Sequence, residues 1–237
     1  MAVILGATGL TFSDGTTQAS KVVGNGSSTD TGDLIDVQSF TASGTWTNPG
    51  ATQVHVKLIG GGGGGAGYCE SGGAGGFAEG FYSVSGVSTV AVTVGGGGSY
   101  TTYYSAAGNG GTTSFGAYLS AIGGYGANQN YSHSGGHGGN SFGGAGFSVQ
   151  GSAGCGHINS VGHGSIGSIG GQGYFGGARA HVRNHQNITN IHHGIGSGAP
   201  GSGGPGNVTD LSVAISGRGH SAGEYGTGGI VIIYAYK

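Results

Sequence analysis

Charge is the scarcest property of this chain. Its 237 residues include 6 Lys and Arg and 8 Asp and Glu, or 6% of the sequence, for a formal net charge of -2. No basic field is present to hold nucleic acid, and no cluster of Lys and Arg suggests an anionic membrane surface. No apolar run approaches the ~18 residues of a membrane-spanning helix. We therefore expect neither nucleic-acid binding nor membrane insertion.

Cysteine and proline are almost as rare. The two cysteines, Cys69 and Cys155, are too few for a disulfide framework and match no zinc spacing. They are either two free or buried thiols or a single bridge between glycine-rich segments. Three prolines exclude collagen, which needs glycine at every third position and abundant proline.

The acidic residues form no obvious catalytic pair. They are scattered along the chain, although Glu70 and Glu79 could meet in space, and a glycan-cleaving site needs two carboxylates held in one groove. The glycines at 60–65 follow a strand, as in a phosphate cradle, but no helix follows them. We therefore expect no enzyme and no cofactor.

Glycine, in contrast, is abundant: the chain has 63 glycines, most of them between Gly60 and Gly206. From Gly164 to Gly176 it recurs at every third position, which is the period of an extended helix of the polyproline II type. Flexible linkers share a high glycine content, but they avoid the Tyr, Phe and Ile that are interleaved here. The pattern predicts several short polyglycine II helices packed side by side, because glycine lets backbones approach closely.

β-strands are predicted on both sides of the glycine-rich sequence. Alternating apolar and polar residues indicate half-buried strands, and this pattern occurs over 53–59, 77–84 and 88–94. In the first of these, Val54, Val56 and Leu58 share one face. The nearly continuous apolar run over 229–236 predicts a last strand that is buried on both faces.

Two shorter strands, over 39–41 and 44–47, are predicted to pair with each other. No segment repeats apolar residues with the helical period over two turns. The predicted fold class is therefore all-β: a small β-sandwich scaffold with glycine-rich polyglycine II-type helices, long loops and essentially no α-helix. The sandwich would hold the first and last strands together.

Residues 1–37 look separate from the rest. The sequence over 4–17 predicts a short strand, a tight turn at Asp14 and Gly15, and a second short strand. Small polar residues over 24–30 then indicate a linker. We therefore divide the chain into 1–37 and 38–237.

Two motifs resemble the glycine-rich domain of bacteriophage tail fibres. The stretch FTASGTWTNP at 40–49, the alternating strand at 54–59 and the polyglycine run at 60–65 are similar to the opening of that domain. The stretch GTGGIVII at 226–233 is similar to its close. In addition, GLTFSDGTTQ at 9–18 resembles an element found near the start of phage fibre subunits.

The resemblance implies a receptor-binding fibre or adhesin protein of a virion, made in the host bacterial cytoplasm. Residues 1–37 would trimerise the chain or attach it to other tail-fibre or baseplate proteins. Residues 38–237 would bind a bacterial surface glycan or outer-membrane protein, with three copies acting together as a homotrimer. The alternative is a purely structural fibre or decoration protein that does not contact a receptor.

Clusters of tyrosine, asparagine and histidine interrupt the glycines and are the candidate receptor-binding residues. Tyrosine offers a large, stiff contact surface with a polar tip, and asparagine offers adaptable hydrogen bonds, as in antibody loops. The tyrosines could instead only cover the glycine layer, and the histidines could hold a metal or pack inside. We expect exposed recognition groups and no metal. The candidates are Tyr100, Tyr103, Tyr104, Asn128, Asn130, Tyr131, His133, His181, Arg183, His185, His192 and His193.

Overall fold

The computed structural model describes residues 4–6, 9–11, 17–18, 32–66, 70–101, 105–128, 136–143, 146–154, 167–176, 180–182, 200–203 and 225–237. The chain divides into two compact units, Met1–Thr31 and Gly32–Lys237. The second unit thus begins inside the segment 1–37 that the sequence analysis set apart. That 1–37 serves attachment stays a prediction.

The described residues contain β-strands and no α-helix, as the sequence predicted, and none of them forms a helix long and apolar enough to cross a membrane. The strands are β1 (Ile4–Gly6), β2 (Gly9–Thr11), β3 (Thr17–Gln18), β4 (Leu34–Phe40), β5 (Gly44–Thr47), β6 (Gln53–Ile59), β7 (Phe77–Ser83), β8 (Thr89–Thr93), β9 (Thr113–Phe115), β10 (Leu119–Ala121), β11 (Ser141–Gly143), β12 (Gly146–Val149), β13 (Gly167–Ile169), β14 (Ala180–Val182) and β15 (Ile230–Tyr236).

The first unit contains a three-stranded antiparallel sheet in the order β1-β2-β3. Thr11 lies opposite both Ile4 and Thr17. The predicted turn at Asp14 and Gly15 lies outside the described residues, although strands are present on both sides of it. The sequence did not separate β1 from β2, because three-residue strands are too short for a period to show.

The second unit contains two five-stranded antiparallel sheets. The first has the order β11-β10-β9-β8-β5, and the second has the order β12-β7-β6-β15-β4. The last strand lies between two early ones, since Ile233 is opposite Val56 of β6 and Gln38 of β4. This pairing joins the beginning and the end of the unit, as the sequence predicted.

The hydrophobic core lies between the inner faces of these two sheets. Trp46 of the first sheet is fully buried, and its ring meets the edge of Phe115 at 5.7 Å. From the second sheet, Val54, Val56 and Leu58 all point inward and are fully buried. The alternation in the sequence is thus confirmed, because each strand buries one face and exposes the other.

Two strand predictions were wrong in their partners or burial. The strands over 39–41 and 44–47 do not pair with each other: β4 pairs with β15, and β5 pairs with β8. The chain crosses from one sheet to the other between Phe40 and Gly44, which allows Phe40 and Trp46 to enter the same core from opposite sides. Strand β15 buries Val231 and Ile233, but its other face is only half-buried because it lies on the outer side of the sheet.

Most strands of the sandwich continue directly into extended glycine-rich segments that are neither strand nor helix. We call the following ten segments the glycine array: 60–66, 70–76, 95–101, 107–111, 122–127, 136–140, 151–154, 170–173, 200–203 and 225–229. Strand β6, for example, runs into 60–66, and 70–76 runs into β7. The array is therefore an extension of the sandwich rather than a set of loose loops.

Segment 60–66 lies at the centre of a hexagon. Hydrogen bonds or close backbone contacts join it to six neighbours, which are 70–76, 95–101, 107–111, 122–127, 200–203 and 225–229. Neighbours on the ring are also hydrogen-bonded to one another, as Gly108 to Ser99 and Ala107 to Ala127 show, at 2.8 Å each. All the residues of the central segment are buried.

The hydrogen bonds of this central segment repeat every third residue. The amides of Gly60, Gly63 and Ala66 all donate to segment 70–76, at 2.9, 2.8 and 2.8 Å. Those of Gly61 and Gly64 donate to 107–111, both at 3.0 Å. A helix with three residues per turn has no internal hydrogen bonds and points its amides outward in three directions. The predicted packing of short polyglycine II helices is therefore present.

Segment 70–76 forms a second centre of the same kind. Its neighbours are 60–66, 122–127, 136–140, 151–154, 170–173 and 200–203. Its residues are buried throughout. The two central segments are direct neighbours of each other, so the array is a small piece of a hexagonal lattice.

The run of glycines that suggested this arrangement lies only partly within it. Residues 167–169 form β13, which pairs with β14, and only 170–173 joins the array. Gly164 lies outside the described residues. The period-three spacing permits either state, and the available hydrogen-bond partner decides between them.

A Cβ atom at most array positions would overlap backbone, and this gives a matched test. An added Cβ on Gly63 would overlap the carbonyl oxygen of Tyr125, whereas one on Gly96 meets nothing within 4 Å. We expect Gly63→Ala to lower the free energy of unfolding by about 3 kcal/mol, as for severe overpacking. Gly96→Ala should be neutral or stabilising by about 0.5 kcal/mol. Urea denaturation measures both, and equal effects would contradict the array.

The side chain of Asn48 hydrogen-bonds to the backbone of several turn residues at the end of the sandwich. Its amide nitrogen donates to the carbonyl oxygens of Ala51, Val84 and Val87, at 3.1, 3.2 and 2.8 Å. Its side-chain oxygen accepts from the amides of Gly50 and Ala51, at 3.0 and 2.6 Å. One side chain thus satisfies five backbone bonds that no strand provides.

Replacing this amide by a carboxylate separates the two sets of bonds. Asn48→Asp keeps the acceptor but turns a repelling oxygen toward three carbonyls, so we expect a loss of about 3 kcal/mol in the free energy of unfolding. Asn109→Asp is the control, because Asn109 uses only its oxygen, which accepts from the Gly126 amide at 2.9 Å. Thermal unfolding should separate the two variants clearly. An Asn48→Asp protein as stable as the wild type would show that the bonds donated by the Asn48 amide do not stabilise the fold.

Candidate functional site

The end of the glycine array opposite the sandwich is the place where its segments turn back. We call it the far end. Here the amide of Ala66 donates to the carbonyl of Glu70 at 2.8 Å, and that of Thr101 donates to Gly65 at 3.1 Å. The amide of Ala107 donates to Ala127 at 2.8 Å. Chain positions that are far apart in sequence are thus brought together at one surface.

Two of the predicted recognition residues lie at this far end. Tyr100 is 39% exposed, and Asn128 is exposed directly after the last array residue of its segment. The ring of Tyr100 meets the ring of Tyr225 edge to face, with centroids 4.7 Å apart at 90°. Because segment 95–101 pairs with 225–229 through Gly98 and Gly226 at 3.0 Å, this pair of rings is held by the array itself.

Tyr225 was missed by the sequence analysis. It is 58% exposed and directly precedes the GTGG stretch at 226–229. The sequence does carry a signal for it, since Tyr225 is a large aromatic residue beside glycine, like the other recognition candidates. Its proximity to Tyr100 depends on pairing across more than 120 residues.

Most of the other predicted site residues lie outside the described residues. His181 is described only as a position in β14, opposite Ser168. The segments that flank 102–104 and 129–135 both end at the far end, at Thr101 and Asn128. Outside the described residues are Tyr103, Tyr104, Asn130, Tyr131, His133, Arg183, His185, His192, His193, Cys69 and Cys155.

The pair of carboxylates that the sequence left open does not form. Glu70 is buried at the far end, and the chain runs on without reversal through 71–76 into β7, where Glu79 lies. At ~3.1 Å per residue, the two are separated by roughly 25–30 Å. In the described part of the chain, no group of three or more His, Cys, Asp or Glu residues is placed to hold a metal ion.

Glu79 belongs instead to a charged cluster on the outer face of the second sheet. Its carboxylate lies 3.4 Å from both His55 Nε2 and Lys57 Nζ. The imidazole of His55 stacks on the ring of Phe81, with centroids 4.2 Å apart at 9°. Burial lowers the pKa of His55 and outweighs the opposing effect of Glu79, while Lys57 lowers it further. The folded protein therefore favours neutral His55.

This shift predicts a loss of stability in mild acid. The pKa of His55 is lower in the folded than in the unfolded chain, so the unfolded chain binds the proton first as the pH falls below about 6.5. The stability is complete above that pH and declines below it. We expect His55→Gln to reduce the decline in urea midpoint between about pH 7.5 and about pH 5.5. Identical slopes for the two proteins would contradict the shift.

Comparisons with known proteins give one positive finding. Comparison with curated proteins finds no match. A family model described as "Glycine-rich domain" matches residues 37–236, which include the whole array and both sheets of the second unit except the first three residues of β4. The chain therefore belongs to the glycine-rich domain family.

Proposed function

We propose that the chain is a bacteriophage tail-fibre or adhesin subunit that binds a receptor on the surface of a host bacterium. The glycine array is the scaffold, and the Tyr-, His- and Asn-rich segments at its far end are the recognition elements. Residues 1–37 attach the chain to other fibre or baseplate proteins, and the working form is a homotrimer in the virion. The chain catalyses no reaction and needs no cofactor.

One observation carries this proposal: several segments of the buried glycine array end at the same surface. Central segments such as 60–66 are hydrogen-bonded on several sides, so the positions where they end do not need to be ordered by the ligand. Preorganisation lowers the entropy that binding costs. Such a scaffold suits a surface that has to follow a variable receptor.

The chemistry of the far end favours recognition of uncharged or weakly charged groups. The rings of Tyr100 and Tyr225 present flat apolar area with hydroxyl tips, and tyrosine is the residue that antibody loops use most in this way. A surface with few charges does not depend on phosphate or sulfate groups for binding. Three copies on one fibre convert weak single contacts into useful avidity.

A structural role without receptor contact is the second candidate, and one observation favours it. The outer face of the second sheet exposes the apolar side chains of Leu34, Val37 and Phe81. Exposed apolar patches commonly mark contacts between protein chains. This face would suit packing against another subunit, which is what a structural fibre or decoration protein needs.

Binding of purified, labelled protein to a panel of whole bacterial strains tests the proposal. We expect saturable binding to at least one strain, and a loss of about tenfold or more for the double variant Tyr100→Ala/Tyr225→Ala. Phe142→Ala is the control, because it removes an equally exposed ring at the edge of the first sheet. Absence of saturable binding on every strain would favour the structural alternative, and an unchanged double variant would rule out the far end as the site.

A further inference from the structure

A second exposed aromatic surface lies where the array meets the sandwich, at the opposite end of the array from Tyr100 and Tyr225. Its base is Phe77, the first residue of β7, which is only 1% exposed. The ring of Tyr174 stacks on it, with centroids 3.6 Å apart at 10°. The rings of Phe147 and Phe175 meet Phe77 edge-on, at 6.4 and 5.8 Å. We call these four residues the junction aromatics.

The outer members of this group remain in solvent although they are firmly held. Tyr174 is 49% exposed and Phe147 is 53% exposed. Since one face of the Tyr174 ring is covered by the buried Phe77, the exposed part of Tyr174 is a fixed platform. Residues that only complete a core would be buried more deeply. A flat aromatic surface that is immobile and wet is suited to stacking a ligand.

A groove of about 270 Å³ adjoins this platform. It is just below the range of about 300–1,000 Å³ that is typical of small-molecule sites, so it has room for one small ring. None of the described residues that line it is charged. They are Gly75, Phe77, Val149, Gln150, Gly151, Ser152, Gln172, Gly173 and Tyr174.

The polar groups of the groove are amides and a hydroxyl. Ser152 Oγ accepts from the backbone amide of Gln172 at 2.6 Å and donates to its carbonyl at 3.2 Å, so it joins two array segments. Gln150 Nε2 donates to the carbonyl of Gly138 at 3.4 Å. Gln150 and Gln172 are both exposed. Their amides offer donors and acceptors beside the aromatic platform.

We propose that this groove binds a neutral pyranose ring of a glycan. Such a sugar has one face of C–H groups, which stacks on an aromatic ring, and a rim of hydroxyls, which pairs with amides that both donate and accept. An acidic sugar or a phosphate would require a cation to pair with, and the described lining of the groove contains none. The inference rests on the proposed function and narrows it: the receptor is a glycan, and the junction groove holds part of it.

The location of the groove gives it a stable geometry. Phe77 and Val149 come from the strands β7 and β12, which pair directly with each other, while Gln172 comes from array segment 170–173. The amide of Gly171 in that segment donates to the carbonyl of Gly72 at 2.8 Å. Both walls are thus fixed by backbone hydrogen bonds.

Titration of the full chain with three methyl glycosides tests the site directly. The probes are methyl α-glucopyranoside, methyl β-galactopyranoside and methyl α-mannopyranoside, followed by ligand-observed NMR. We expect at least one to bind saturably, Tyr174→Ala to weaken it about tenfold or more, and Tyr174→Phe to retain it. Gln172→Ala should weaken it several-fold, and Phe142→Ala, which removes an exposed ring at the edge of the first sheet, should leave it unchanged.

Three results would overturn the proposal. They are no saturable binding of any of the three glycosides, equal binding by wild type and Tyr174→Ala, and equal losses in Tyr174→Ala and Phe142→Ala. Thermal unfolding of each variant shows that it is folded, and Tyr174→Phe keeps the stack on Phe77 in any case.

The cell-binding experiment separates this failure from failure of the proposed function. Saturable binding to bacteria without binding of any glycoside would remove only the groove. Binding of a glycoside without binding to any strain would leave the groove as a sugar site and remove the receptor-binding role.

Discussion

A buried backbone with three residues per turn has no internal hydrogen bonds and must bond to neighbouring segments, and the rest of this structure depends on that constraint. Amides in segments 60–66 and 70–76 point outward in successive directions, so each segment needs neighbours on every side. Neighbours can come close enough only where no Cβ intervenes, as at Gly63 against Tyr125. Glycine is therefore required by contact between backbones, and the hexagonal arrangement follows from it.

The sandwich offsets the conformational entropy that is lost when the glycine array becomes ordered. Ordering glycine costs roughly 0.5–1 kcal/mol more per residue than ordering alanine, and a free glycine-rich chain stays disordered. Here strands such as β6 and β7 hold the ends of neighbouring segments in register before the lattice begins. The core around Trp46 and Leu58 supplies the apolar burial that the array lacks. The array thus extends the sheet, and the sheet fixes where its segments begin.

The separation of the apolar core from the glycine array bears on the proposed recognition role. The lattice has two kinds of boundary, the far end and the junction with the sandwich, and each displays aromatic rings on a rigid base. At the far end, Tyr100 and Tyr225 meet across paired segments. At the junction, Tyr174 is supported by the buried Phe77. In the proposed role, a receptor glycan that contacts both would be held at two separated places.

Local pattern in the sequence was sufficient for the all-β class, the alternating strands from Val54 to Leu58 and the short polyglycine II helices, because each depends on a period of two or three residues. The period did not identify partners. Residues 39–41 and 44–47 look like a hairpin but enter different sheets, and 167–169 carries the glycine spacing but pairs as a strand. Tertiary structure alone decided that Tyr100 lies against Tyr225 and that Phe77 supports Tyr174, since these contacts arise from lateral packing between segments distant in the chain, and a backbone without side chains carries no local signal of which neighbour it will meet.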